Sequence, residues 1–136
     1  MSYYFSTVID ADFDEAIART RAALQEEGFG VVSEIDIQKT LRDKIGADFR
    51  RYTILGACNP VLAHEALRLE DKVGAMLPCN VVVQETDGGT EIAAIDPVAS
   101  MQAIENEELN EKAAAVADKL KRVIERIGTE AGTETE

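Results

Sequence analysis

Apolar side chains recur along this chain at two periods. From Tyr3 to Ile9, aromatic and β-branched residues come in near alternation, which predicts a pleated, half-buried strand. From Asp12 the period lengthens. Phe13, Ile17, Thr20 and Leu24 recur at helical spacing, Asp12 and Glu15 match a capping box, and Gly28 offers a left-handed stop. Val31 to Ile35 predicts a second strand. Asp36 can then cap a shorter helix that carries Ile37, Leu41 and Ile45 on one face and ends at Gly46. Strand character returns from Phe49 to Ala57 and stops at Cys58-Asn59-Pro60. Asn59 is a favoured N-cap and Pro60 suits a first helical position. Leu62, Ala66 and Leu69 give the following helix its apolar stripe.

Gly74 and Pro78 bracket a loop. Cys79 opens a strand through Val81, Val82 and Val83, and Asp87-Gly88-Gly89 turns it into a hairpin with Thr90 to Ile95. Asp96-Pro97 breaks that strand and starts a short helix including Met101 and Ile104. The longest helical pattern follows. Leu109, Ala113, Val116, Leu120, Val123, Ile124 and Ile127 hold one face, and Lys119, Lys121, Arg122 and Arg126 suit its negative end, so this helix is expected to cover the sheet. No large apolar side chain follows Gly128. The expected organisation is therefore a single α+β domain over residues 1–127 and a disordered acidic tail over 128–136. Tyr3, Tyr4 and Tyr52 show no stacking pattern with basic residues, so core packing is expected for them.

Composition narrows the partners more than it names them. With 136 residues and 46% hydrophobic content the chain has material for one core. Its 26 acidic and 14 basic residues leave a formal charge of -12, which argues against phosphate backbones and anionic lipid as partners. A soluble acidic surface accounts for that charge without a ligand. No apolar run approaches the roughly 20 residues that cross a bilayer, and the opening residues lack a signal-peptide pattern, so the expected compartment is the cytoplasm. In that setting the two cysteines, Cys58 and Cys79, are expected as thiols or ligands rather than a disulfide.

The residues open three chemistries. Cys58 stands just before a helix start, where the positive dipole end lowers a thiol's pKa, yet no CxxC pair supports a thioredoxin-type mechanism. Cys58 and Cys79 could also serve as thiolate ligands for copper or zinc, with His64 or Met101, although neither spacing is a recognised zinc pattern. A small-molecule or anion pocket could be lined by Leu55, Met76, Leu77 and Val81, with Asn59 and Asn80 as its polar groups and the amides after Asn59 facing an anion. Each residue also has a plainer use. Buried cysteines pack as small hydrophobes, Asn59 and Asp96 cap helices, Asn80 starts a strand, Asp10 and Asp12 serve turns, and a lone histidine sits in solvent. Packing is the favoured reading of the cysteines. The chain carries no Gly-rich phosphate loop, nucleophile elbow, HExxH helix or paired zinc knuckles.

Three stretches carry a resemblance. Ile54-Leu55-Gly56-Ala57-Cys58-Asn59-Pro60, then Leu77-Pro78-Cys79-Asn80-Val81-Val82-Val83, then Asp96-Pro97 with Met101 resemble the family known as domain of unknown function 302. The resemblance covers nearly all of the chain before the tail. It implies a curved, largely antiparallel sheet backed by helices, related to the TATA-binding-protein-like architecture, and often a homodimer. It implies no established activity, and a shared architecture is no argument for DNA binding on a surface of this charge. The functional expectation is a homodimeric small-ligand-binding or accessory protein, with thiol-dependent redox or soft-metal handling as the alternative.

Overall fold

A computed structural model describes the backbone of residues 2–135 and the side chains of residues 2–129. Its centre is a five-stranded sheet in the order β1-β5-β4-β3-β2, antiparallel at every junction. The strands are β1 (Tyr4–Ile9), β2 (Gly30–Asp36), β3 (Tyr52–Cys58), β4 (Cys79–Thr86) and β5 (Gly89–Ile95). The helices are α1 (Phe13–Glu26), α2 (Ile37–Ile45), α3 (Pro60–Leu69), α4 (Pro97–Ser100) and α5 (Glu107–Thr135), with a 3-10 helix at Asp71–Met76 where the sequence predicted only a loop. This is the expected α+β class, an open antiparallel sheet backed by helices.

The caps explain where the helices begin. Asp12, Asp36, Asn59 and Asp96 each accept a bond from a backbone N–H of the following first turn, at 2.8, 2.9, 3.2 and 3.0 Å. Asn106 does the same for α5, accepting from the Leu109 amide at 3.0 Å. Gly46 ends α2 with φ of 67°, as the sequence predicted. The hairpin closes on Asp87-Gly88, since Thr86 pairs with Gly89.

Helices α1 and α5 cover one face of the sheet. Beneath them lie Ile9, Leu55, Val81, Val83, Ile92 and Ala94, which meet Leu24 of α1 and Leu120, Val123 and Ile127 of α5 in one buried cluster. A smaller cluster joins Ala66, Val73, Met101, Leu109 and Ala113. The apolar stripe of α2 does not enter either: none of its residues is buried, and Ile45 is 72% exposed. Periodicity marked the face but not a neighbour to cover it.

Helix α5 also overruns its predicted end. It continues through Gly128 to Thr135, and Gly128 lies against Thr7 of β1, where a Cβ would stand 2.7 Å from the Thr7 hydroxyl. Gly128 is thus packed against β1. For the rest of the expected tail, side chains from 130 onward lie outside the described residues.

Candidate functional site

The alternation of β-strand side chains decides which predicted site residues meet. Ala57 pairs with Cys79, and Gly56 with Asn80, so Cys79 enters the helix-covered side while Asn80 faces away from it. Cys58 ends β3 and Asn59 caps α3, which turns the chain back over the sheet end. Cys58, Asn59 and Cys79 consequently line one cavity of about 40 Å³. Pro97 and Met101 close it from α4 and its C-cap, and Leu109, Ala113 and Val116 close it from α5.

The expected pocket is thus divided. Asn80 lies on the opposite side of the sheet from Asn59. Leu55 and Val81 are fully buried core residues, and Met76 is 37% exposed; of that set, Leu77 reaches the cavity. His64 is exposed on α3 and does not line the cavity. No group of three or more His, Cys, Asp or Glu side chains comes together among the described residues. At about 40 Å³, the space takes an ion or a very few waters, whereas organic ligands occupy roughly 300 Å³ upward.

Both cysteines are free thiols, Cys58 half-buried and Cys79 buried. Burial pushes the Cys79 thiol up to about 11, and the neighbouring Cys58 adds to that direction. A protonated, enclosed Cys79 is a poor nucleophile. Lys112 also lines the cavity, with its ammonium paired to Glu65 at 3.0 Å. The Leu77–Pro78 peptide at its rim is cis.

The other side of the sheet faces away from α1 and α5. Its outward residues include Tyr4, Ser6 and Val8 on β1, Glu91, Ala93 and Ile95 on β5, Asn80, Val82 and Gln84 on β4, and Tyr52 and Ile54 on β3. Glu91 is the sole charged group in that set, and its carboxylate accepts a hydrogen bond from Gln84 at 2.9 Å. A groove of about 330 Å³ crosses this face, rimmed by Tyr3, Tyr4 and Tyr52 and floored by Val82 and Ala93. Tyr3 and Tyr4 are 64% and 42% exposed. The expectation that the tyrosines pack in the core is therefore corrected: Tyr3 precedes β1, and the core face of β1 is Phe5 and Ile9 rather than Tyr4. The signal was present in the sequence, since Tyr4-Ser6-Val8 offers no charged outward set to a solvent-facing strand side.

The profile described as "Domain of unknown function DUF302" matches residues 5–127. The crystal structure of an uncharacterized conserved protein DUF302 from Bacillus stearothermophilus superposes with a TM-score of 0.87 at 30% identity. The match covers 93% of this chain and 99% of that one. Among functionally curated proteins, none matches.

Proposed function

Since the chain belongs to the DUF302 family, whose name states no activity, we propose that it is a homodimeric binding or accessory protein working through the face of its sheet that lies away from α1 and α5. The observation that supports this is the scarcity of charge on that face. On a chain with net charge -12, the outward set of β1, β5, β4 and β3 named above holds one carboxylate. Antiparallel sheets with one solvated side ordinarily place polar residues there, and an extended apolar patch marks an interaction surface. Low local charge also lets two strongly acidic chains approach without direct repulsion across the contact.

The groove adds a place for a small molecule. Its volume of about 330 Å³ falls within the usual span of ligand sites, which begins at roughly 300 Å³. Tyrosine rings supply apolar area and hydroxyls together, and Asn80 and Gln84 supply polar groups from β4. A paired chain would roof this groove and close it from water.

Light scattering at micromolar concentration tests the reading. A dimer mass is expected for the native chain, and Val82→Glu, which places a charge at the centre of the face, is expected to give a folded monomer. A native monomer, or a Val82→Glu dimer of unchanged affinity, overturns it.

A further inference from the structure

We infer that Cys58, Cys79 and Met101 form a binding site for one copper(I) ion in the cavity at the ends of β3 and β4. The inference is independent of the sheet face and rests on what lines the cavity. Three separate segments each place a sulfur-bearing residue in its lining: the end of β3, the start of β4 and the C-cap of α4. Cys79 and Met101 are 6% and 5% exposed, so both thioether and thiol are held away from water. Cys79 belongs to the main buried cluster and Met101 to the smaller one, and the cavity lies where the two meet.

The remaining lining selects among ions. Asn59 has its side-chain oxygen engaged by the Leu62 amide, and the Lys112 ammonium is a cation held by Glu65. Hard ions such as magnesium and calcium require several oxygen ligands, which this wall lacks. Zinc takes four nitrogen, oxygen or sulfur ligands, and no third His, Cys, Asp or Glu joins the two thiols among the described residues. Thiolate and thioether sulfur are the ligands that select copper(I).

Loading balances as two thiols plus Cu⁺ giving a bis-thiolate copper centre and two released protons, with the Met101 thioether as a neutral third donor. No electron is transferred. The bound centre carries one negative charge, and it lies at the positive end of α3. A cation lying between the two sulfurs favours their thiolate forms, which is what couples metal uptake to proton release.

The test is anaerobic titration of the reduced, full-length chain with copper(I) against a chromophoric copper(I) chelator. One copper per chain is expected, with an all-sulfur shell by X-ray absorption and no comparable uptake of zinc. Cys58→Ala and Cys79→Ala are each expected to abolish stoichiometric binding. Met101→Leu conserves volume, and thermal melting by circular dichroism checks that it folds. It should weaken binding at least about tenfold, the loss that follows even from removing a ligand's supporting partner. Absence of stoichiometric binding, retention by either single-cysteine variant, an unchanged affinity in Met101→Leu, or equal affinity for zinc overturns the site.

Discussion

Pro78 lies directly over Gly56. A Cβ built on Gly56 would stand 2.7 Å from the Pro78 Cγ, and the Ser33 hydroxyl presses on the same point from β2. Two of the distinctive stretches of sequence, Gly56-Ala57-Cys58-Asn59-Pro60 and Leu77-Pro78-Cys79-Asn80, are thus in contact through the missing side chain of one residue. Gly56→Ala should lower stability by about 1 to 3 kcal/mol through overpacking. Urea unfolding measures this, and an effect below a few tenths of that range would mean that Pro78 and Ser33 can move aside.

Cys79 should make the protein lose stability in alkali. Its thiol is raised from 9.0 to about 11 by burial and, secondarily, by Cys58. Between those values the unfolded thiol is ionised while the folded one keeps its proton, so unfolding releases a proton and rising pH favours it. The stabilising share is whole below pH 9 and is lost as pH rises through about 11. The slope is about 1.4 kcal/mol per pH unit. Denaturant melts of the native chain and Cys79→Ala across this window should converge by roughly 2 kcal/mol. Parallel curves would contradict the assignment.

Glu27 should act in the opposite direction of pH. Burial works to raise its carboxyl, but hydrogen bonds and charge from Arg122, with Arg126 beside it, outweigh that and hold it below the ordinary 4.5. Arg122 lies at 3.1 Å and Arg126 at 3.4 Å, which ties the end of α1 to α5. A depressed carboxylate stabilises above its unfolded pKa and loses that contribution as pH falls. Glu27→Gln should therefore melt below the native chain at pH 7, and the two should approach each other in acid and in high salt. A gap independent of pH would show that the role is packing alone.

Two leucine-like positions on helical stripes should behave differently. Leu120 is fully buried and Ile45 is 72% exposed. Leu120→Ala should cost about 2 to 5 kcal/mol, whereas Ile45→Ala should stay within about 0.5 kcal/mol. Equal effects in chemical denaturation would contradict the packing of α2 or of α5.

The sequence carried most of the secondary structure because the caps are local. Asp12, Asp36, Asn59 and Asp96 bond amides only two or three residues onward, so each helix start could be read from its own neighbourhood. That Cys58 and Cys79 line one cavity was not legible locally, because it depends on β3 and β4 being antiparallel neighbours. Nor was what the cavity contains. Whether Asn80 joins Asn59 depends on register between β3 and β4, and one residue of offset places it on the other face. Tyr3 and Tyr4 looked like core residues since aromatic character says nothing about which side of a sheet is covered.

The strand order has a consequence for how the chain is made. β1 lies at an edge and pairs with β5, so that Tyr4 waits for Ile95 to arrive. During synthesis β2, β3 and β4 can assemble as neighbours before that, but the first strand has no partner until the hairpin's second arm is complete. Closing so wide a loop spends chain entropy before the contacts that offset it exist, which makes the final step of sheet assembly non-local and slow. In any chain interrupted before β5, Phe5 and Ile9 remain uncovered, and such fragments should aggregate rather than persist as partly folded domains.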